Sequence, residues 1–356
     1  MTRRRTGLVF DEAFLEHRAP YEHPENPGRL TAIRARLEEK GLFTACERVP
    51  AREASDDELL AIHDAALLAT VAATARLEFV QLDPDTYTCA ASAHAARMAA
   101  GGLVDLAIRV GSGELANGIA LVRPPGHHAE SDRAMGFCLF NNVAVAAAAA
   151  GRAGARRVLI VDWDLHHGNG TQHSFWDEAD VLYFSTHQYP FYPGTGSIEE
   201  LGGPRAQGRT VNVPFPAGCG DAEYLAAFER VLLPLARRFD PDLVLVSCGF
   251  DAADGDPLGS MRLSPSGYAA MTRRLAGLAG GRLVLVLEGG YNFSAIARSA
   301  EACLRVLLDE EADEPVPGDP SAAAVRILDA VRRAQGPHWA GVEGFAPASG
   351  RERENR

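Results

Sequence analysis

The stretch Val158-Leu-Ile-Val-Asp162-Trp-Asp164-Leu-His166-His167 decides how the rest of this 356-residue sequence is interpreted. It begins with a continuous apolar run, which is typical of a strand buried on both faces in a parallel sheet. Charged and polar side chains follow at once. In open α/β sheets, ligands bind beyond the carboxyl ends of the strands. The stretch therefore predicts a parallel sheet and also the edge of that sheet where a functional site lies.

Other short apolar runs alternate with longer segments of helical periodicity. The further runs that predict strands are residues 7–10, 118–122, 181–185, 211–214, 243–247 and 283–287. The segments that predict helices are residues 27–40, 56–76, 90–110, 141–150, 222–239, 265–278, 294–308 and 322–333. This alternation predicts an α/β fold of three layers, in which helices flank a central, mostly parallel sheet.

The composition narrows the class of protein. Hydrophobic residues make up 47% and charged residues 23%, which excludes a mainly disordered chain. The net charge is −12, so we expect no direct binding to nucleic acid and none to an anionic membrane. The longest apolar run, residues 143–150, is far shorter than the ~20 residues of a membrane span. The six cysteines form no CxxC pair, which favours a reducing compartment, and we expect a cytoplasmic protein.

The domain organisation follows from the same patterns. No second segment has the apolar content of an independent core, so residues 1–310 are predicted to form one catalytic domain. An acidic, proline-containing stretch then leads into an extension, residues 311–346, that is expected to pack on this domain. Residues 347–356 are predicted to form a flexible tail. A homo-oligomer is left open.

Polar segments follow four of the predicted strands. They contain His127 and His128, then the segment from Asp162 to His167, then Asp251, and lastly Tyr291. Because the carboxyl ends of parallel strands meet at one edge of the sheet, these segments are expected to converge there. Taken singly, each has an ordinary explanation as a turn, a helix cap or a surface pair. Their occurrence at four equivalent strand ends favours a site.

A divalent metal explains the acidic residues of these segments. Asp162, Asp164 and His166 alternate in an extended chain and so point to one side. Asp164 and His166, with Asp251 from another strand, leave an open position on a four-coordinate ion, as catalytic zinc requires. Asp162 is then expected to hydrogen-bond a histidine. A cluster of Asp–His ion pairs and a two-metal site are the alternatives, and Gly168 argues against the second metal.

Long motifs in this sequence carry a resemblance to a known family. They are Arg123-Pro-Pro-Gly-His-His-Ala-Glu130, Met135-Gly-Phe-Cys-Leu-Phe-Asn-Asn142, Ile160-Val-Asp-Trp-Asp-Leu-His-His-Gly-Asn-Gly-Thr-Gln-His173, Pro193-Gly-Thr-Gly196, Ser247-Cys-Gly-Phe-Asp-Ala-Ala-Asp-Gly-Asp-Pro-Leu258 and Leu287-Glu-Gly-Gly-Tyr-Asn292. On these motifs the chain resembles zinc-dependent histone deacetylases, most closely the class II and bacterial histone-deacetylase-like amidohydrolases. The resemblance spans roughly residues 5 to 310 and implies an arginase-like fold.

The resemblance implies a role for individual residues. It makes Asp164, His166 and Asp251 the zinc ligands, pairs His127 with Asp162, and makes His128 the general base and acid. Tyr291 would polarise the substrate carbonyl. The remaining implied residues are Gly136, Phe137, Tyr192 and Leu258 at the substrate channel, and Asp162, Asp164, His166, Ser185 and Thr186 at a structural potassium site. Asn169 stands where class I relatives have Asp, which implies a lower pKa for His128.

The chemistry implied is removal of an acetyl group from an acetylated amine, by zinc-activated water with His128 and Tyr291 assisting. Acetyl-lysine in peptides or proteins is the expected substrate. An acetylpolyamine amidohydrolase is the alternative, although Leu258 stands where polyamine-selective relatives carry Glu. A catalytically idle module that binds acyl-lysine is the third reading. Zinc is the expected metal, and Fe(II) and Co(II) stay open for an Asp/Asp/His set.

Overall fold

A central parallel sheet organises the chain, and the computed structural model describes residues 5–313, 315 and 318–345 of it. Within these residues, eight strands pair in the order β2-β1-β5-β10-β9-β6-β7-β8, and every neighbouring pair is parallel. The strands are β1 Thr6–Val9, β2 Glu47–Arg48, β5 Asn117–Ala120, β6 Val158–Asp162, β7 Val181–Gln188, β8 Thr210–Phe215, β9 Leu243–Cys248 and β10 Leu283–Leu287. A separate antiparallel pair is formed by β3 Val80–Asp83 and β4 Thr86–Thr88.

Helices cover both faces of the sheet, as the three-layer prediction requires. They are α1 Gly28–Glu39, α2 Leu42–Ala45, α3 Asp56–Leu59, α4 Ala65–Thr74, α5 Ser92–Gly111, α6 Asn142–Arg152, α7 Asn169–Ser174, α8 Asp221–Ala227, α9 Leu233–Phe239, α10 Pro265–Ala276, α11 Phe293–Leu307 and α12 Ala322–Gln335. Helices α8 and α9 are joined by a π-helical segment, Phe228–Leu232.

Strand β1 shows how the helices are divided between the two faces of the sheet. Gly7 faces α5 so closely that a Cβ there would lie 2.6 Å from a Leu106 methyl group. The preceding residue, Thr6, points the other way, since its hydroxyl donates to the Leu307 carbonyl of α11 at 3.0 Å. Helices α5 and α6 therefore pack on one face, and α11 packs with α1 and α10 on the other. The alternation of side chains along a strand produces this division.

One predicted helix is wrong. Residues 56–76 were expected to form a continuous helix, but the chain leaves the helical path between α3 and α4. The His63 ring is buried there. Its Nδ1 donates to the Glu130 carbonyl at 2.8 Å, and its Nε2 accepts from the Asn141 backbone amide at 2.8 Å. These contacts come from residues far along the chain and outweigh the local helical preference.

The sequence analysis also missed β2 and the β3–β4 pair, because runs of two to four residues carry little periodicity. At the other end, α12 lies beside the edge strand β8. The Gln335 amide donates to the Thr210 carbonyl at 2.7 Å, and the Trp339 indole donates to the Gly208 carbonyl at 3.0 Å. The boundary at residue 310 stays a prediction, and the predicted tail lies outside the described residues. No helix among the described residues combines the length and the apolar content needed to cross a bilayer.

Candidate metal centre and active site

The four strands that end in polar segments are neighbours in the middle of the sheet. Their order is β5-β10-β9-β6, so the four carboxyl ends lie side by side. The predicted residues that follow them do converge. The convergence comes from topology, because β5 and β6 are adjacent in sequence but are separated in space by β10 and β9.

Asp164, His166 and Asp251 form a compact cluster. One ligand atom from each residue lies within 4.8 Å of the other two. The Nδ1 atom of His166 is 3.2 Å from an Asp164 oxygen and 3.1 Å from an Asp251 oxygen. Both carboxylates are fully buried. In the described part of the chain, this is the one cluster of at least three such residues that could hold a metal ion.

Two glycines let the backbone approach this cluster. A Cβ at Gly289 would lie 2.2 Å from an Asp251 oxygen and 2.6 Å from an Asp164 oxygen. A Cβ at Gly249 would lie 2.0 Å from the same Asp164 carboxylate. The Gly289 amide uses this closeness to donate to Asp164 at 2.8 Å. Only glycine fits at either position, so the carboxylates are held by backbone that no larger residue allows.

The electrostatics of the cluster suit a divalent cation. Burial, with the facing Asp164 carboxylate, raises the pKa of Asp251 to about 7. No lysine or arginine within residues 5–313, 315 and 318–345 forms an ion pair with either carboxylate, and His166 is shared between them. Two buried carboxylates with one imidazole form a donor set that zinc accepts. The residues present therefore fit the metal.

Two adjacent histidines stand beside this cluster and have different partners. His127 Nδ1 lies 3.0 Å from an Asp162 oxygen, the contact that the sequence predicted. Burial favours the neutral ring, but Asp164 and Asp162 raise the pKa of His127 to about 10. His128 Nδ1 instead lies 2.7 Å from the amide oxygen of Asn169. Burial lowers the pKa of His128 well below its usual value, and the neighbouring His127 and His166 act in the same direction.

Tyr291 approaches from the loop after β10. Its backbone amide donates to the Asp256 carboxylate at 2.7 Å, and the neighbouring Gly290 has φ +115°, a conformation that favours glycine. The buried Arg29 guanidinium lies 4.9 Å from the centre of the Tyr291 ring. Arg29 also donates to the carbonyls of Gly290 and Glu288. These contacts hold the phenol ring over the site from both sides of the loop.

A narrow channel leads to the two histidines and Tyr291. Its cavity volume is ≈ 80 Å³, and Phe137, Tyr192 and Leu258 are among the residues that line it. The Tyr192 ring stands edge-on to His128 at 5.2 Å, and the Phe137 ring stands edge-on to Tyr291 at 5.9 Å. Gly136 also lines the channel, and a Cβ there would lie 2.4 Å from the His128 ring. The predicted channel residues therefore share one cavity.

Of the residues predicted for potassium, Asp162 ends β6, Ser185 and Thr186 lie on the adjacent strand β7, and Asp164 and His166 follow β6 in the next loop. Asp162 is in register with Ser185, and the Ser185 hydroxyl is 2.9 Å from Nδ1 of His187. The Thr186 hydroxyl is buried and has no hydrogen-bond partner among the described residues. The potassium site itself stays a prediction.

Sequence reasoning missed the buried ion cluster that supports the Tyr291 loop. The Glu25 carboxylate accepts from Arg29 Nη1 at 3.0 Å and from Arg123 Nη2 at 2.7 Å, and all three side chains are fully buried. Burial opposes ionisation of Glu25, but Arg123 and Arg29 hold its pKa well below the ordinary value. The spacing of Glu25 and Arg29 within Pro24-Glu-Asn-Pro-Gly-Arg-Leu30 is a signal, but Arg123, the second partner of Glu25, lies 98 residues beyond it.

We expect Glu25→Gln to lower the free energy of unfolding by about 3–5 kcal/mol, because two buried guanidinium groups lose their counter-charge. A carboxyl whose pKa is lowered on folding stabilises the protein above its unfolded pKa of about 4.3, and the contribution is lost as the pH falls further. The variant should therefore also show a weaker loss of stability in acid. Urea unfolding between pH 3 and pH 7 measures both effects. Glu39→Gln is the control. Glu39 forms an exposed ion pair with Lys40 at the end of α1, the helix that contains Arg29, and its replacement should change stability little.

Comparison with known proteins gives the family. Residues 23–307 match the model of the histone deacetylase domain. Histone deacetylase 15 of Arabidopsis thaliana is 46% identical over 346 residues, which cover 94% of this chain and 62% of that protein. Histone deacetylase 7 of Homo sapiens is 42% identical over 383 residues, which cover 96% of this chain and 40% of that protein.

Solved structures agree with this match. The crystal structure of the HDA15 HD domain superposes with a TM-score of 0.91 at 46% identity, and the match covers 95% of this chain and 96% of that one. The predicted arginase-like α/β fold is thereby confirmed. The chain spans less than two thirds of the length of the relatives above, whose full sequences are longer. The match to the domain model over most of the sequence, together with this structural likeness, shows that the chain belongs to the histone deacetylase family.

Proposed function

We propose that this protein is a zinc-dependent amidohydrolase that removes the acetyl group from acetyl-lysine in peptides or proteins. The observation that carries the proposal is the position of His128 and Tyr291, which line the same narrow channel as His166 of the metal cluster. A phenol, an imidazole and a metal ligand are thus within reach of one bound amide. Family membership supports the same chemistry.

The proposed reaction assigns a task to each residue. Asp164, His166 and Asp251 would hold zinc, which when bound polarises a carbonyl and lowers the pKa of a water molecule. His128 accepts the proton of the attacking water and later gives it to the departing amine. The Tyr291 hydroxyl donates a hydrogen bond to the carbonyl oxygen as negative charge develops on it. His127, paired with Asp162, orients its ring beside that of His128, with ring centres 4.0 Å apart.

The surface around the channel supports a peptide substrate over a polyamine. Tyr192 lines the channel, and Tyr192, Phe191 and Tyr21 are among the exposed aromatic side chains of the described residues. The centre of the Phe191 ring lies 5.5 Å from that of the His166 ring. The Tyr21 ring contacts the His23 ring, which in turn contacts Phe137 in the channel wall. Aromatic rings at the entrance of the channel favour binding of a peptide, whose surface is partly apolar and partly polar. A polycation would prefer free carboxylates.

An acetylpolyamine amidohydrolase is expected to have acidic residues at the rim of the channel, and Asp83 and Asp85 are the candidates. Asp85 lines the channel, and its carboxylate has structural partners. An Asp85 oxygen accepts from the Gly136 amide at 3.1 Å and from the Thr86 hydroxyl at 2.8 Å. This carboxylate therefore helps to hold the channel wall. The acetylpolyamine alternative loses part of its support in this way. The idle-module reading predicts a damaged set of ligands or a missing phenol, whereas this chain has all three ligand residues and Tyr291.

The test is a comparison of kcat/KM for an acetyl-lysine peptide and for acetylpolyamines, using enzyme loaded separately with zinc, Fe(II) or Co(II). We expect the peptide to be preferred and zinc to support turnover. Preference for an acetylpolyamine would select the alternative substrate. Absence of turnover on every substrate with every metal would select the idle module. The proposed potassium site at Asp162, Ser185 and Thr186 is tested separately, by measuring the melting temperature of the zinc enzyme at increasing potassium concentrations.

A further inference from the structure

Asn169 lies between His128 and a buried carboxylate that the proposed reaction does not use. Asn169 Oδ1 is 2.7 Å from His128 Nδ1, and Asn169 Nδ2 donates to Glu130 Oε1 at 2.6 Å. Glu130 is only two residues beyond His128, so the two residues contact opposite ends of one amide. The helix that begins at Asn169 is held close to this segment, because a Cβ at Gly170 would lie 2.2 Å from the Ala129 carbonyl oxygen.

The surroundings determine which end of the amide faces His128. The Nδ2 atom has three acceptors around it: the Glu130 carboxylate, the His128 carbonyl at 3.3 Å and the Met135 sulfur at 3.6 Å. A flipped amide would place its oxygen against the carboxylate, where neither group has a proton to donate. Glu130 therefore keeps the amide oxygen directed at His128.

The amide orientation in turn determines the tautomer of His128. An amide oxygen only accepts, so the hydrogen bond requires a proton on Nδ1 of His128. A neutral ring with its proton on Nδ1 has its lone pair on Nε2. We propose that Glu130 is a positioning residue, which orients the Asn169 amide and thereby keeps Nε2 of His128 free to accept a proton. This inference rests on the proposed function.

A second histidine holds the carboxylate in place from the outside. Nδ1 of His173 is 2.9 and 3.0 Å from the two Glu130 oxygens, and the His173 side chain is 47% exposed. The Glu130 backbone is also fixed, since its carbonyl accepts from His63 at 2.8 Å. Glu130 is thus held at its backbone and at both carboxylate oxygens, and has little freedom to turn away from Asn169.

The first test removes the carboxylate. Glu130→Leu fills most of the space of the side chain with apolar atoms and leaves Nδ2 of Asn169 without its charged acceptor. We expect kcat on the acetyl-lysine peptide to fall by about 10–100-fold with KM and zinc content unchanged, as is typical when a partner of an active-site group is lost. Glu53→Leu is the matched control, because Glu53 makes a similar contact with His94 on the surface. A Glu130→Leu enzyme as active as the control would overturn the proposal.

A polarity swap separates positioning from a general structural role. Asn169→Asp alone sets one carboxylate against another and should lower kcat by about 10–100-fold. Adding Glu130→Gln supplies an amide donor to the new carboxylate, whose other oxygen still accepts from His128. The double variant should regain activity to within about 10-fold of the wild type. A double variant no better than Asn169→Asp alone would contradict the proposal, since a purely structural role predicts additive losses.

The tautomer can be observed without turnover. In the zinc-loaded protein labelled with ¹⁵N-histidine, the His128 ring should show its proton on Nδ1, and Glu130→Leu should yield a mixture of tautomers. The signal is assigned by its loss in His128→Gln. A proton on Nε2 in the wild type would refute the positioning role whatever the activity. If the wild type shows the expected tautomer yet hydrolyses no acetylated substrate, the proposed function fails and the positioning of His128 stands.

Discussion

Tyr291→Phe is expected to lower kcat by ~10²–10³-fold, the usual cost of removing one hydrogen-bond donor to a developing oxyanion. The phenylalanine ring should occupy the same place. The loop is held through its backbone, because the Tyr291 amide donates to Asp256 and Arg29 donates to the Gly290 carbonyl. The Arg29 guanidinium contacts the ring face rather than the hydroxyl. The hydroxyl makes no hydrogen bond to any described residue, so folding stability should change little. Zinc content should also be unchanged, because Tyr291 is outside the ligand cluster.

Steady-state kinetics with zinc quantification on the same samples measures this effect. Tyr192→Phe is the comparison, since it removes a hydroxyl from the wall of the same channel. We expect it to cost much less than Tyr291→Phe. Equal losses in the two variants would mean that the position of the Tyr291 hydroxyl is unimportant, and an unchanged kcat in Tyr291→Phe would remove it from the reaction.

Asp251→Ala is expected to abolish stoichiometric zinc binding and, with it, activity. Asp251 supplies one of three ligand atoms, and one of its oxygens also accepts from the Leu165 amide at 2.8 Å, next to the other two ligands. Removing it should weaken zinc affinity by more than the ~10–100-fold that loss of an outer partner costs. The Asp164 and His166 pair that remains is too small a donor set for a catalytic zinc site.

Metal analysis after dialysis against a weak chelator checks this prediction. The matched control is Asp254→Ala, which removes an exposed carboxylate from the same loop and should retain the metal. A full complement of zinc in Asp251→Ala would show that the ligands lie elsewhere. The wild type should also be stabilised by added zinc, since a ligand that binds only the folded state raises the melting temperature, and Asp251→Ala should lose this increase.

Much of the site was predictable because its residues follow strands. Asp164 and His166 come directly after a buried apolar run, and Asp251 follows another. A parallel sheet brings the carboxyl ends of its strands to one edge. A local sequence pattern therefore predicts a contact between residues that are far apart along the chain. The pairing of His127 with Asp162 came from the motif resemblance, and the contact is present at 3.0 Å. The motif resemblance added the role of Tyr291 and the channel residues Phe137 and Tyr192, which no periodicity would have selected.

The supporting residues were not predictable in this way. Glu130 and Asp256 lie within the long motifs and Glu25 lies in the N-terminal Pro24-Glu-Asn-Pro-Gly-Arg-Leu30, yet nothing in these stretches says what the three carboxylates contact. Their partners are Arg123, Asn169 and the Tyr291 amide, which are 98, 39 and 35 positions away along the chain. The same holds for the break between α3 and α4, where His63 bonds to residues of another segment.

The amino-acid pattern by itself determined the layered α/β architecture, the edge of the sheet that carries the site and the three candidate ligands. Apolar runs and the polar residues at strand ends are local properties, so they can be recognised without knowing which strands are neighbours in the sheet. Only the tertiary structure decided that β5 and β6 enclose β10 and β9, and that Glu130 orients Asn169. A hydrogen bond requires a distance of about 3 Å between donor and acceptor. The sequence does not say which distant residues come this close, so only the folded structure identifies the partners.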